Sequence, residues 1–420
     1  MYSKSVLKNG LRVITSSMQH TRSVCISIFI GAGSRYEGDN EAGVSHFVEH
    51  LCFKGTRRRI TAKEIAETID GVGGLLNGGT DKEFTVYWSK VASHHFPLAL
   101  DLLADMIRYS RFDVTDIERE RSVIIEELNE SNDSPQDRVN RLIDEVLWPK
   151  QPLGREVIGS KETVGAIGRD MLLDYLGRNY RPNNTVVSVA GDIGAMEVVQ
   201  AVDAAFGDWE MSKLSVPEPA RDSQKKPQLC VERRSTEQAH ICLAIRGLPL
   251  EHPDRFNLDI LNVILGGSMS SRLHVEIRER LGLAYDIYSY PEYFLDAGAI
   301  VIYAGVAPKN VADTIKAVIG ELEKLKDKVP EVELTKAKEL VKGRLLLSME
   351  DSRSVAGWVG GQEVLSSRIR TVDDFVSIVD AITPEDLKRV SQQLFLTDKL
   401  NVAIVGPVDN EARVRKALKL

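Results

Sequence analysis

Short runs of apolar residues alternate along the chain with stretches whose apolar positions recur every three to four residues. The runs 24–31 and 241–247 each predict a buried strand that ends at a glycine. Asn9-Gly10, between the strand-like segments 5–8 and 11–15, indicates a tight hairpin. Helical periodicity predicts helices over 61–69, 96–109, 115–130, 136–147, 171–178, 254–265, 311–326 and 334–349. Strands at both ends of each half favour an α+β fold in which helices pack on a mostly antiparallel sheet.

The chain contains an internal repeat. Gly31 and Gly247 end the first buried strand of each half and are 216 positions apart. Gly191 and Gly406 end a later strand-like segment of each half and are 215 positions apart. Two landmarks with nearly one offset predict two homologous domains. We place them at 1–211 and 229–420, joined by a charged, proline-containing linker over 212–228.

Composition and charge exclude several classes of protein. Of the 420 residues, 43% are apolar and 27% are charged, which is typical of a globular chain. A formal net charge of −7 argues against nucleic acid as a partner. No apolar run approaches the roughly 20 residues of a membrane helix, so no membrane partner is expected. The first ten residues do not resemble a signal peptide, and we expect a cytoplasmic protein with its four cysteines reduced.

A candidate metal motif lies in a predicted helix over 43–53. His46 and His50 are four residues apart and therefore share one helix face, where two imidazoles can bind one metal ion. Glu49 leans toward the same face and can act beside the metal without being a ligand. This is the reverse order of the H-E-x-x-H arrangement of zinc peptidases.

A catalytic zinc needs a third protein ligand. The helix over 115–130 offers several glutamates, of which Glu120 and Glu127 are seven residues apart on one face. Periodicity does not separate Glu126 from Glu127. Thr115 and Glu118 have the spacing of a capping box, which predicts that the helix starts there.

These residues resemble the pitrilysin/insulinase family of zinc metallopeptidases, in the short two-domain form of mitochondrial processing peptidase subunits and their bacterial relatives. In that family 76 residues separate H-x-x-E-H from the ligand glutamate, and the same count from His50 leads to Glu127. The resemblance implies one Zn²⁺ per chain bound by His46, His50 and Glu127, with Glu49 as general base on a zinc-bound water. Glu120 matches a second family glutamate that assists catalysis or orients a ligand.

Further segments extend the resemblance over nearly the whole chain. The segment 73–87 resembles the family's edge strand, which implies that Asn77 and Gly78 bind the substrate backbone; the family usually has alanine where Gly78 stands. In the second half, Arg278 and Tyr285 match an arginine–tyrosine pair that acts on the substrate or the reaction intermediate. His274 departs from the pattern, since the family usually has an aromatic or apolar residue there.

The predicted function is a zinc metalloendopeptidase, a hydrolase that cleaves extended or unfolded peptides. The second half lacks the zinc motif, because Asn262 takes the place of His46 at an offset of 216. Some family members have lost their zinc residues and serve as structural or partner subunits, which is the alternative. Longer relatives contain four such domains, so the resemblance implies that two copies of this chain form a homodimer.

Overall fold

Two β-sheets organise the chain, whose computed structural model describes residues 2–408 and 410–419. The first compact unit contains the chain up to Leu128, Arg155–Glu218 and Leu346–Thr371. The second contains Asn129–Gly154, Pro219–Leu345 and the chain from Val372 onward. The two units are therefore interleaved along the sequence. The division into continuous domains over 1–211 and 229–420 stays a prediction from the repeat.

The first sheet has six strands in the order β1-β2-β6-β3-β5-β4. Its strands are β1 (Ser3–Val6), β2 (Arg12–Ser17), β3 (Ser23–Ile30), β4 (Leu75–Thr80), β5 (Thr85–Ala92) and β6 (Thr185–Gly191). Only β2 and β6 pair in parallel, and the other neighbours are antiparallel. Asn9-Gly10 forms the predicted turn between β1 and β2, with Gly10 at a φ of 81°.

The second sheet repeats this topology. Its strands are β7 (Gln228–Glu232), β8 (Ala239–Arg246), β9 (Ala284–Tyr293), β10 (Gly298–Val306) and β11 (Leu400–Val405), in the order β7-β11-β8-β10-β9. The single parallel pair, β7 with β11, corresponds to β2 with β6. The predicted α+β class with two homologous, mostly antiparallel sheets is confirmed.

Fifteen α-helices are present in the described residues. The first half of the chain contains α1 (Val44–Cys52), α2 (Ala62–Asp70), α3 (Phe96–Tyr109), α4 (Val114–Asp133), α5 (Pro135–Leu147), α6 (Lys161–Ala166), α7 (Arg169–Asn179) and α8 (Ala195–Phe206). They are followed by α9 (Arg255–Leu265), α10 (Val311–Leu325), α11 (Glu331–Ser348), α12 (Ser352–Ser366), α13 (Val372–Ala381), α14 (Pro384–Leu394) and α15 (Glu411–Ala417). None of these described helices is long and apolar enough to cross a membrane.

Helices cover both faces of each sheet. In the first unit, α1, α3 and α8 pack with one face, and α12 packs on the other through Val355, Ala356 and Val359. In the second unit, α9, α10 and α14 cover one face, and α5 covers the other. Each sheet therefore lies at the centre of its own hydrophobic core. All four cysteines are free, as predicted.

The predicted capping box of α4 is wrong. The helix begins at Val114, and the carbonyl of Asp113 accepts a hydrogen bond from the amide of Ile117. Thr115 consequently lies inside the first turn. The side chain of Glu118 pairs with Arg121 instead of reaching back to the helix start.

Candidate metal centre

The N-terminus of α1 holds the metal motif in a fixed position. Gly43 precedes the helix at a φ of 96°, and a Cβ there would lie 2.3 Å from the carbonyl oxygen of Ile158, so the position requires glycine. The buried carboxylate of Glu37 accepts hydrogen bonds from the amides of Gly43 and Ser45, at 2.9 and 2.8 Å, and from the Ser45 hydroxyl. Glu37 therefore caps the N-terminus of α1. One of the amides that it accepts from, that of Ser45, comes directly before His46.

The three predicted metal ligands lie together in the first unit. One donor atom each of His46, His50 and Glu127 lies within 4.8 Å of the other two. Glu127 Oε2 is 3.9 Å from His46 Nε2 and 3.6 Å from His50 Nε2. Within residues 2–408 and 410–419, no other group of three or more His, Cys, Asp or Glu side chains has this geometry.

The structure shows which of two neighbouring glutamates on α4 faces the histidines, a choice that helical periodicity left open. Glu127 turns toward the histidines with its side chain 39% exposed, whereas Glu126 is exposed to solvent and lies outside the cluster. One turn of an α-helix contains 3.6 residues, so adjacent residues point about 100° apart. The geometry therefore favours the glutamate that the family spacing selected.

The two imidazoles differ in their electrostatic surroundings. Burial, together with the neighbouring His50, lowers the pKa of His46 to about 3, so its imidazole is neutral. The Nδ1 atom of His46 is buried, and no described residue forms a hydrogen bond with it. Burial alone would lower the pKa of His50, but the hydrogen bond to Glu120 and the charges of Glu127 and Glu49 raise it.

Glu120 orients the second histidine. His50 Nδ1 lies 3.2 Å from Glu120 Oε2, and because a carboxylate only accepts, Nδ1 carries the proton and Nε2 faces Glu127. Lys54 contacts the other oxygen of Glu120 at 2.8 Å. Burial would raise the pKa of Glu120, but these two partners outweigh it and hold that pKa below the usual value. Such outer partners commonly fix metal-binding histidines.

Glu49 lies beside the histidines, and its carboxylate is held by a hydrogen bond from Thr80. Thr80, the last residue of β4, donates its hydroxyl to Glu49 Oε2 at 2.9 Å. Burial raises the pKa of Glu49, and the Thr80 bond and His50 oppose that rise. The Thr80 bond holds the carboxylate in place and leaves Oε1 free of any hydrogen bond from the described chain.

Strand β4 forms the edge of the first sheet beside this helix. It pairs with β5 alone among the described strands, and Asn77 and Gly78 occupy its middle. A Cβ at Gly78 would lie 3.1 Å from Glu49 Oε1 and 3.1 Å from the ring of Phe53. Glycine therefore leaves room between the edge strand and Glu49 that the family's usual alanine would fill.

Arg278 and Tyr285 lie in the second unit. Seven residues, His274–Arg280, form a π-helical segment, and Tyr285 lies in β9 with 77% of its surface exposed. The Arg278 guanidinium stacks over the Tyr285 ring at 5.5 Å and donates to Nε2 of the buried His274 at 2.9 Å. The two residues are thus neighbours, and their catalytic role stays a prediction.

Three residues at the centre were not identified from the sequence: Glu37, Thr80 and Lys54. A weak signal exists for Glu37, because an acidic residue and a glycine shortly before a helix are typical of N-terminal capping. Thr80 and Lys54 act on residues 31 and 66 positions away, and no local pattern contains that information.

The donor set fits zinc. Two imidazoles and one carboxylate are a known ligand set of catalytic zinc, with one position left for water or substrate. His46 is neutral, and the bond from His50 Nδ1 to Glu120 directs Nε2 of His50 toward Glu127. The carboxylate of Glu49 does not belong to the cluster, is held in place by Thr80 and is available for acid–base chemistry.

Comparison with known proteins agrees with this geometry. The family described as "Insulinase (Peptidase family M16)" matches residues 12–161, and "Peptidase M16 inactive domain" matches residues 166–341. The chain is 36% identical to the "Uncharacterized zinc protease YmxG" of Bacillus subtilis, over 98% of this chain and 99% of that protein. An "Uncharacterized zinc protease" of Rickettsia felis is 33% identical over 96% and 97% of the two chains.

Solved structures share the fold. A protease from Helicobacter pylori superposes with a TM-score of 0.92 at 23% identity, covering 97% of this chain and 99% of that one. A peptidase M16 inactive domain from Pseudomonas fluorescens gives a TM-score of 0.88 at 21% identity, covering 97% and 98%. From its sequence relatives and its family matches, the chain belongs to the insulinase family of peptidases, family M16, which is also called the pitrilysin family.

Proposed function

We propose that this chain is a zinc-dependent endopeptidase that hydrolyses extended or unfolded peptides, with Glu49 as general base. One observation carries the proposal: His46, His50 and Glu127 converge within 4.8 Å, and Glu49 lies on the same helix without joining them. The relatives named zinc proteases support a peptidase role. Zinc, when bound, supplies Lewis acidity and a water molecule whose pKa is near neutral.

The chain's own residues would supply the proton transfers. Glu49 Oε1 takes a proton from the attacking water and passes it to the amine that leaves. The hydrogen bond from Thr80 to Oε2 keeps the carboxylate oriented during both transfers. Glu120 keeps Nε2 of His50 directed at the centre by accepting from Nδ1.

The edge strand supports an extended substrate. The outer side of β4 has no described strand beside it, so its backbone groups can pair with a peptide that adds to the sheet. Gly78 in that strand lies against Glu49, which would bring a paired peptide next to the general base. Such pairing requires about 3.3 Å of extended chain per residue, which the interior of a folded protein does not offer.

The test compares metal content and hydrolysis in the wild type and in Glu49→Gln. The substrate is one protein in its native form and in its unfolded, reduced and alkylated form. We expect the wild type to cleave mainly the unfolded form. Glu49→Gln should keep the metal and lose about 10²- to 10⁴-fold in rate, because only the base is removed.

The matched control is Glu67→Gln, which changes an exposed glutamate on α2. It should leave both metal and rate unchanged. Full activity of Glu49→Gln would disprove the assigned role of that residue. Equal cleavage of native and unfolded substrate would disprove the extended-substrate proposal. A wild-type chain that binds metal but cleaves neither form would favour the non-catalytic subunit.

A further inference from the structure

A basic cavity of about 550 Å³ opens in the first unit. Its walls come from the segment between α1 and α2, the end of α3, the loop before α4, α7 with the two residues that follow it, and the residues after α8. Five arginines and a single carboxylate line it: Arg57, Arg108, Arg111, Arg169, Arg181 and Asp113. This concentration of positive charge contrasts with the net charge of −7 of the whole chain. None of the lining residues belongs to the candidate metal centre.

Two of the arginines are anchored by backbone carbonyl groups, which do not neutralise a guanidinium charge. Arg169 donates its Nε proton to the carbonyl oxygen of Phe112 at 3.0 Å, and Arg181 donates its Nε proton to the carbonyl oxygen of Gly177 at 2.6 Å. Nε anchoring fixes each guanidinium plane and leaves the terminal N–H groups for another partner. In the described part of the chain, neither Arg169 nor Arg181 has a carboxylate partner.

Arg57 is also uncompensated. It is exposed, its guanidinium lies 5.6 Å from the centroid of the Tyr109 ring, and it forms no ion pair with a described residue. By contrast, Arg108 pairs with Asp208 and Arg111 pairs with Asp113, at 2.8 and 2.6 Å. The cavity therefore contains three more positive charges than its carboxylate partners neutralise. Their mutual repulsion is relieved by an anion that enters the cavity.

The backbone at this cavity is held in an unusual conformation. Phe112 has a φ of 51°, in the left-handed region that non-glycine residues seldom occupy. Its carbonyl accepts the hydrogen bond that anchors Arg169. Backbone strain of this kind is concentrated at active sites and ligand-binding sites.

We propose that this cavity is a binding site for a small oxyanion that carries at least two negative charges, as phosphate or carboxylate groups. Arginine forks bind both groups through paired N–H donors. A volume of about 550 Å³ is in the range of small-molecule sites. The negative net charge of the chain disfavours a long polyanion such as RNA, whose backbone would extend beyond the cavity.

The experiment is calorimetric titration of the full chain with inorganic pyrophosphate and, separately, with citrate. It compares the wild type with Arg57→Gln/Arg169→Gln and with Arg415→Gln, an exposed arginine of α15 outside the cavity. Because both anions chelate divalent cations, each titration is run on the chain as purified and again after metal removal. Thermal unfolding without anion shows whether each variant is folded.

We expect one anion per wild-type chain, with and without metal. Affinity should fall about tenfold or more in the double variant, because two charge-assisted contacts are removed. Arg415→Gln should bind like the wild type. Binding of pyrophosphate alone identifies a phosphate ligand, binding of citrate alone identifies a carboxylate ligand, and binding of both supports the shared site.

Three results would overturn the proposal: no binding of either anion, equal binding in the double variant, or binding that disappears when the metal is removed. If the double variant does not fold, Arg57→Gln alone decides the question. Its side chain forms no hydrogen bond with a described residue, so its loss should reduce affinity without affecting the fold.

Discussion

Different neighbours act on the two histidines of the candidate metal centre. His46 is neutral because it is buried beside another imidazole, which lowers its pKa to about 3. His50 is oriented by Glu120, which itself is paired with Lys54. The centre is therefore arranged before any metal arrives, and this reduces the cost of binding one.

We predict that the affinity of the centre for zinc depends on Glu127 and not on Glu126. Glu127→Gln replaces a charged oxygen donor with a neutral amide and should weaken zinc binding by about 100-fold or more. Glu126→Gln changes the adjacent, exposed residue and serves as the matched control. The measurement is zinc competition with a chelator of known affinity. A larger loss in Glu126→Gln than in Glu127→Gln would contradict the ligand assignment.

The sequence is sufficient for part of this centre. Helical spacing alone places His46, Glu49 and His50 together, because residues three and four apart share a helix face. Helical periodicity does not identify the residue that completes the set, since Glu126 and Glu127 are adjacent on α4 and the buried face of that helix is not sharply defined by the sequence. The family resemblance selected Glu127, and in the structure Glu127 turns toward the two histidines whereas Glu126 is exposed.

Among the elements, α1 is capped by a buried acidic residue that lies outside it, Glu37. Burial raises the pKa of Glu37 to about 7, although hydrogen bonds from Ser45 and Gly43 and the charge of Arg155 oppose the rise. The folded chain therefore holds a proton at Glu37 up to about pH 7, whereas the unfolded chain releases it near 4.5. Stability from this group is present below pH 4.5 and is lost as the pH rises toward 7.

We predict that Glu37→Gln flattens this pH dependence. The displacement of the pKa from 4.5 to about 7 corresponds to about 3 kcal/mol of unfolding free energy across that interval. Glutamine does not titrate, so the free energy of unfolding of the Glu37→Gln variant should vary less between pH 5 and 8 than that of the wild type, even if the variant is less stable at every pH. Denaturant unfolding at several pH values, with EDTA present, measures the two slopes.

Glu67→Gln is the control for this prediction, because Glu67 is exposed on α2 and should leave the slope of the wild type intact. Identical slopes in the wild type and Glu37→Gln would show that the cap remains ionised throughout the interval.

The helices differ in how well the sequence predicts them. Helices such as α3 and α10 follow a clean 3.6-residue pattern, and their predicted bounds agree with the structure to within one residue. Helix α12 gives no such signal, because Gly357, Gly360 and Gly361 lower its intrinsic helix propensity. Its apolar residues are instead buried against the first sheet, so tertiary packing stabilises a helix that local preference does not predict.

For the whole molecule, the repeat predicts the two sheets but not the composition of the compact units. The two pairs of glycine landmarks mark the ends of equivalent strands, β3 with β8 and β6 with β11, which is why nearly one offset relates them. The assignment of Asn129–Gly154 to the second unit and Leu346–Thr371 to the first depends on contacts distant in sequence. Hydrophobic periodicity reports which face of a helix is buried, and not which sheet buries it.

Assembly is the remaining question at this scale, and we propose a homodimer. One chain contains both the zinc ligand set and the Arg278–Tyr285 pair, so two identical chains need no other subunit. Tyr285 is 77% exposed in the single chain, and its ring is covered on one side by Arg278. An exposed aromatic residue next to an arginine is typical of a surface that another molecule covers.

We predict that Tyr285 acts on the zinc site of the partner chain. Glu49→Gln and Tyr285→Phe should each be inactive alone, and mixing them under conditions of subunit exchange should restore part of the activity. In each heterodimer, one of the two sites combines an intact Glu49 from one chain with an intact Tyr285 from the other. If both residues act within one chain, no site is ever complete and the mixture stays inactive.

Peptide hydrolysis measures recovery, and light scattering of the two chains, one of them enlarged by a fusion tag, verifies exchange. No recovery despite verified exchange, or an active monomer, would exclude this arrangement.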